Sequence, residues 1–302
     1  MVPELRTLFL LLLLAACPCT FAQTCTTHVI VVPFDQKTHK GIDGLQSVDF
    51  EARMGHDALL VNDSTENLNQ RLLVLVDVSG SSDHADVTNA AVKLADLSRN
   101  APTGRKLAFG AFADRLLLTK EFSTNPAERS AEIDDVMAQT KTMGRNAGLF
   151  DALHGAIGYF GKRQPGDTIM LVSDGHDNVS KRNADDVSQE LLASGIRLLT
   201  VFRPRSRFAS RDFRQIVRDQ TTTLKILTST TGGSYTGLAD PTFFDFPWAG
   251  YLLDIALPNS AEKPKTWTLH LRNRGGKGYR DAFIMYPEKI GCSVSESEVH
   301  VN

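Results

Sequence analysis

Leu72-Leu73-Val74-Leu75-Val76-Asp77-Val78-Ser79-Gly80-Ser81 decides how this chain folds. The first five residues form an unbroken apolar run, the pattern of a short strand buried on both faces. His84 to Arg99 reads as an amphipathic helix, with Asp83 suited to its N-cap. A carboxylate and two hydroxyls therefore stand where a parallel strand gives way to a helix. In open α/β sheets ligands bind at that end of the strands. Oxygen donors gathered there suit a hard divalent cation, Mg²⁺ before Ca²⁺ or Mn²⁺. A second apolar run, Asp167 to Ser173, ends the same way, in Asp174-Gly175-His176-Asp177-Asn178.

Outward from these two strands, alternating runs continue the α/β pattern. Lys106 to Phe112 reads as a strand, and Arg115 to Phe122 pairs with it as a hairpin. Helices are expected over Pro126–Thr140, Leu149–Phe160, Ala184–Ala193 and Arg211–Thr230, with Pro126 in a first turn and Gly195 as a stop. Strands are expected over Ile196–Phe202 and Gly232–Thr236. The fold class is α/β: a doubly wound, Rossmann-like, mostly parallel sheet with one antiparallel edge strand. Small β-rich segments flank it. The first holds His28–Val32 and Ala58–Val61. The last holds Tyr251–Leu257, Thr266–Leu271 and Ala282–Tyr286, with Tyr251 and Trp267 as packing residues. The organisation read from these patterns is a leader at 1–22, a β-rich segment at 23–70, the α/β domain at 71–240 and a β-rich segment at 241–302.

The chain has 302 residues, 42% of them hydrophobic and 23% charged, which is ordinary globular composition. A net charge of −2 gives no reason to expect nucleic acid or an anionic membrane surface as partner. Thr7 to Ala16 is an apolar stretch of the length of a secretory leader and too short to span a bilayer. Cleavage after Ala22 releases a secreted or periplasmic chain. The alternative, Leu14-Ala15-Ala16-Cys17, is similar to a bacterial lipobox and makes Cys17 a lipid anchor. After cleavage at Ala22 only Cys25 and Cys292 remain of four cysteines, and in an exported chain such a pair reads as a disulfide, with two separate thiols as the alternative.

The spacing Asp77-x-Ser79-x-Ser81, followed by the strand ending in Asp174-Gly175, resembles the metal-ion-dependent adhesion site of von Willebrand factor type A domains. Three features, one in the α/β domain and two in its flanks, resemble the exported bacterial, acidobacterial VWFA-related family in particular. They are Gly44-Leu45-Gln46-Ser47-Val48-Asp49-Phe50, Asp174 to Asn178, and Gly278-Tyr279-Arg280. The resemblance implies that Ser79 and Ser81 bind the metal directly and that Asp77 and Asp174 act mainly through water. It also implies a further Thr ligand in a pattern like Gly-Gly-Thr-Ala-Leu-Tyr-Asp-Ala-Leu. Here that stretch is Arg145-Asn146-Ala147-Gly148-Leu149-Phe150-Asp151-Ala152-Leu153, so the Thr position is Ala147. A methyl group cannot coordinate. Water, Asn146, Asp151 or Asp177 are the candidates to fill the gap, and Asp151 lies a helical turn further on.

The function implied is protein binding, with an acidic side chain of the partner completing the metal site. The competing reading is a metal-independent structural or assembly component of the cell envelope. No small-molecule substrate is expected. Ser79, His84 and Asp174 could be drawn as a hydrolase triad, but no Gly-x-Ser-x-Gly elbow supports it, and the chain is not expected to be an enzyme. Arg203, Arg205, Arg207 and Arg211 cluster after a strand end and read as a solvated loop, with anion binding as the alternative.

Overall fold

The computed structural model describes residues 24–35, 37–38, 40–66, 70–80, 101, 104–202, 211–237, 250–258, 263–272, 279 and 282–292. The leader with Cys17, Ser81, the expected helix after His84, Arg203, Arg205 and Arg207 lie outside the described residues, as do Gly278 and Arg280.

The apolar run that opens the argument is strand β4, Arg71–Asp77, and every residue of it is buried. Its sheet also contains β5 (Lys106–Phe112), β6 (Leu116–Leu118), β7 (Thr168–Ser173), β8 (Arg197–Phe202) and β9 (Tyr235–Gly237). The strand order is β6-β5-β4-β7-β8-β9. β6 runs antiparallel to β5, and all other neighbours are parallel. The chain fills one side of β4 first and then returns to β7 on the other side, so the order reverses between β4 and β7.

Four α-helices lie among the described residues: α1 (Pro126–Thr140), α2 (Leu149–Tyr159), α3 (Ala184–Ser194) and α4 (Arg211–Thr230). Their ends follow from local chemistry. Asn125 accepts the N–H of Ala127 at the start of α1, with Pro126 in the first turn. Asn183 and Asp186 form a reciprocal capping box on α3, which ends at Gly195 with φ +62°. Side chains alternate across the sheet. Leu73, Leu75, Ile169, Leu171 and Leu198 meet Leu149, Leu153, Leu191 and Leu224 from α2, α3 and α4. Leu72, Val74, Val76, Met170 and Val172 meet Ile133 and Val136 of α1 on the opposite face. Both faces are thus covered, which is why β4 and β7 carry apolar residues at successive positions. No helix among the described residues is long and apolar enough to cross a membrane.

The β segments at the two ends of the chain share one sheet. Its strands are β1 (Thr24–Asp35), β2 (Phe50–Met54), β3 (Asp57–Glu66), β10 (Tyr251–Pro258), β12 (Thr268–Leu271) and β13 (Ala282–Met285), in the order β12-β2-β3-β10-β1-β13. β12 and β13, at the two edges, approach each other, so the sheet is rolled around its own core. Val29, Val31, Phe50, Tyr251, Leu253, Ile255, Leu257, Trp267, Leu269 and Ile284 fill that core. Along β10 buried and half-buried residues alternate without exception, as one wet face requires.

The expected strand over Thr266–Leu271 is broken in two. Lys265–Thr266 (β11) pairs with Lys289–Ile290 (β14), while β12 pairs with β2. Trp267 sits at the break, buried, with its indole N–H donating to the Pro287 carbonyl at 2.6 Å. A buried indole needs such a partner.

Cys25 and Cys292 form a disulfide, with Cα atoms 5.8 Å apart. β1 pairs antiparallel with β13, Val32 opposite Met285. Cys25 lies seven residues before Val32 and Cys292 seven after Met285, so the bridge falls on the register that the ladder already set. The rolled sheet meets the α/β unit at the end of α4. Thr231 bridges to Pro287, and the Glu288 N–H donates to the Thr230 carbonyl at 3.1 Å. Gly232, at φ +74°, lies so close that a Cβ there would stand 2.5 Å from the Pro287 nitrogen. Only glycine meets both conditions.

Candidate functional site

Asp77 is the last residue of β4, and Asp174 follows the last residue of β7. The two strands are parallel neighbours, and they flank the point where strand order reverses. That crevice, outside the carboxyl ends of the strands, is the ligand position that the topology creates. Asp77 is 0% exposed, Ser79 2% and Asp174 1%. The sequence expectation thus places Asp77, Ser79 and Asp174 at one edge of the sheet. Ser81 lies outside the described residues.

Local hydrogen bonds hold each carboxylate. Asp77 Oδ1 accepts the Ser79 N–H at 3.0 Å, and Oδ2 accepts the Ser173 hydroxyl at 2.8 Å. Ser173 Oγ in turn accepts the Gly175 N–H at 2.9 Å, and Asp174 Oδ1 accepts the His176 N–H at 3.0 Å. These are side chains folding back on the backbone two residues ahead, the chemistry of Asx and Ser turns. Ser173 is a residue that sequence reasoning missed. It ties the two strand ends together, and its only signal is a hydroxyl that follows the apolar run Ile169–Val172.

The loop before α2 is pinned along its length. The Gly144 N–H donates to Asp114 Oδ1 at 2.8 Å, and the Gly148 N–H to the Ala113 carbonyl at 2.8 Å. The Gly80 N–H donates to the Arg145 carbonyl at 2.9 Å. A Cβ on Gly80 would stand 2.7 Å from Arg145 Cβ and 2.8 Å from its Cγ, so a larger residue between Ser79 and Ser81 would push the loop away. Ala147 is fully buried. Its N–H donates to Asn178 Oδ1 at 2.8 Å, and its carbonyl accepts the Asn178 N–H at 3.0 Å. The Thr position of the resemblance is therefore a buried methyl held by an asparagine.

The carboxylates of Asp151 and Asp177 join the same loops. Gly148 stands at the N-cap of α2 and has no side chain to offer. Asp177 Oδ2 instead accepts the Phe150 N–H at 3.0 Å, and Ser180 Oγ accepts the Asp151 N–H at 3.1 Å. Asp177 Oδ1 also accepts the Ser180 N–H at 3.1 Å. In return, the Asp151 oxygens accept the N–H groups of Lys181 and Arg182 at 3.0 and 3.1 Å. This is a capping box shared between two loops, and it satisfies donors that α2 would otherwise leave orphaned. Asn146 Oδ1 accepts a long hydrogen bond, 3.5 Å, from Asn178 Nδ2. Asp177→Ala is expected to cost about 0.5–2 kcal/mol of stability, with Asp177→Asn losing less. Urea denaturation of both variants measures this, and equal midpoints for Asp177→Ala and the natural chain would refute the capping role.

Asp77, Ser79 and Asp174 bring only oxygen donors to this edge, which suits a hard cation. Mg²⁺ keeps several waters and needs few protein ligands, so a set of Ser79, Ser81 and two flanking carboxylates is chemically adequate without a hydroxyl at 147. Among the described residues, no group of three or more His, Cys, Asp or Glu is placed to hold a metal ion. The fit therefore depends on the serine hydroxyls and on water.

No protein-family model matches the chain, and no curated protein matches it. Solved structures similar to it in shape include three at low identity. The conserved hypothetical protein BatB from Bacteroides thetaiotaomicron has a TM-score of 0.42 and 11% identity, over 56% of this chain and 90% of its own. An aerotolerance-related membrane protein from Bacteroides fragilis has a TM-score of 0.43 and 12% identity, over 58% of this chain and 94% of its own. Proximal thread matrix protein 1 from the mussel byssus has a TM-score of 0.47 and 17% identity, over 69% of this chain and 50% of its own. Likeness at this level carries no argument about what the chain does.

Proposed function

We propose that this chain is an exported protein-binding module of the von Willebrand factor type A class, with a doubly wound sheet and a divalent-cation site at its carboxyl edge. One observation carries the reading: Asp77 and Asp174 are buried at the ends of adjacent parallel strands, at the point where strand order reverses. Burying carboxylates is costly, and a bound cation would offset that cost. Ser79 and Ser81 would hold Mg²⁺, or Mn²⁺ or Ca²⁺, directly, and Asp77 and Asp174 through water. The cation supplies a Lewis-acidic position for a carboxylate. This chain's residues orient the hydroxyls, neutralise the charge and keep the edge rigid. A partner's Asp or Glu would complete the site, and no catalytic role is assigned. Export is read from the leader and from the Cys25–Cys292 bridge, a bond favoured in oxidising compartments.

Calorimetric titration of Mg²⁺ and Mn²⁺ into the natural chain and into Asp77→Ala tests the reading. The natural chain should give binding heat and a rise in unfolding temperature, and Asp77→Ala neither. At a metal concentration of about 100 times Kd the added stability should approach 2.7 kcal/mol. A second reading, a metal-independent envelope component, is favoured by the buried methyl of Ala147 and by the backbone bonds of Asp151 and Asp177. Absence of heat and of thermal shift in the natural chain would decide for it.

A further inference from the structure

We propose that Arg145 reads the partner, its guanidinium receiving an Asp or Glu carboxylate of a protein bound at the carboxyl edge of the parallel sheet. This rests on the reading of that edge as an interaction face, and not on the cation.

Residues 145–147 set an exposed cation beside a buried methyl. Ala147 turns a methyl into the interior, while Arg145 is exposed two residues earlier. The stem of Arg145 is held against the strand-end turn. Its Cβ, Cγ and Cδ lie 2.7, 2.8 and 3.1 Å from the place a Cβ on Gly80 would occupy, and Gly80 is itself exposed. The carbonyl of Arg145 accepts the Gly80 N–H, and the loop on either side is tied at Gly144, Ala147 and Gly148. Among the described residues Arg145 forms no ion pair, whereas Arg53, Arg71 and Arg182 each pair with a carboxylate.

Among the described residues, the acids of the adjoining loops each accept backbone N–H groups, Asp114 while exposed and Asp151 and Asp177 while half-buried. Asp114 accepts Gly144, Asp151 accepts Lys181 and Arg182, and Asp177 accepts Phe150 and Ser180. An arginine whose backbone is pinned loses less entropy on binding than one on a loose loop. Its planar fork matches a carboxylate in two parallel hydrogen bonds, which a lysine cannot reproduce.

The test measures binding of the full chain to immobilised poly-L-glutamate, once with chelator and once with Mg²⁺. The natural chain should bind in both. Arg145→Ala should weaken binding about ten-fold or more, and Arg145→Lys by less. Arg163→Ala, an exposed arginine in the turn before β7, should leave binding unchanged. Arg145→Ala should also keep the unfolding temperature and any Mg²⁺ heat of the natural chain. The proposal is overturned if the natural chain ignores poly-L-glutamate, if Arg145→Ala binds it undiminished, or if Arg163→Ala weakens binding equally. Failure of the cation reading shows separately, as missing Mg²⁺ heat with glutamate binding intact in chelator.

Discussion

Arg71→Ala is expected to lower the unfolding free energy by about 3–5 kcal/mol, the cost of breaking a buried ion pair by removing one partner. Arg71 opens β4 with a side chain 10% exposed, and Asp167, just before β7, is 1% exposed. The guanidinium meets the carboxylate with two hydrogen bonds, Nε to Oδ1 at 2.7 Å and Nη2 to Oδ2 at 2.5 Å. It also donates to the carbonyls of Phe160 and Lys162, each at 2.9 Å, and lies over the rings of Phe122 and Phe160. Truncation leaves a buried carboxylate whose remaining hydrogen bond among the described residues is the Gln164 N–H at 3.0 Å, and it strips two carbonyls of their donors. Arg71→Lys keeps the charge but not the fork, so it should fall between the two. Replacing both partners by leucine should not restore stability, because the Phe160 and Lys162 carbonyls stay unsatisfied. Urea denaturation of the three variants decides it. A loss under about 1 kcal/mol for Arg71→Ala would put this pair among surface ion pairs in energetic effect.

Cys25→Ser with Cys292→Ser should cost about 2–5 kcal/mol, mostly by freeing the unfolded chain. The bridge spans 267 residues, so it closes nearly the whole described chain into one loop. It also holds the segment after β13 beside β1 where the ladder has lapsed, because Pro287 has no N–H and β14 pairs with β11 instead. Loss of the bridge should therefore loosen the start of β1 before the parallel sheet. Denaturant titration gives the magnitude, and amide exchange at Thr26–Val31 against Leu72–Val76 gives the order. Uniform exchange in both strands after reduction would show that the bridge acts on the whole fold alone.

Much of the α/β unit was legible because its signals are local. An apolar run such as Leu72–Val76 can only be buried on both faces, and Pro126, Asn183 and Gly195 announce helix ends through chemistry within a few residues. That Asp77, Ser79 and Asp174 share one edge was legible because neighbouring strands of a parallel sheet end on the same side. The partners of the neighbouring acids were not legible. Asp177 caps a helix 27 residues upstream, and Asp151 holds a turn 30 residues downstream. No periodicity encodes such contacts, so a carboxylate that completes a cap looks the same as one available to a metal.

The sequence by itself determined the strand and helix periods, the acids and hydroxyls at the ends of β4 and β7, and the methyl at 147. Tertiary structure alone decided that the two ends of the chain form one rolled sheet, with His28 opposite Asp254 and Thr24 opposite Pro258. The physical reason is that alternation states which face of a strand is buried and leaves its neighbour unnamed: any half-buried strand can pair with any other. The neighbour is selected only when Val29, Phe50, Leu253 and Ile284 must close around one core and Cys25 must reach Cys292.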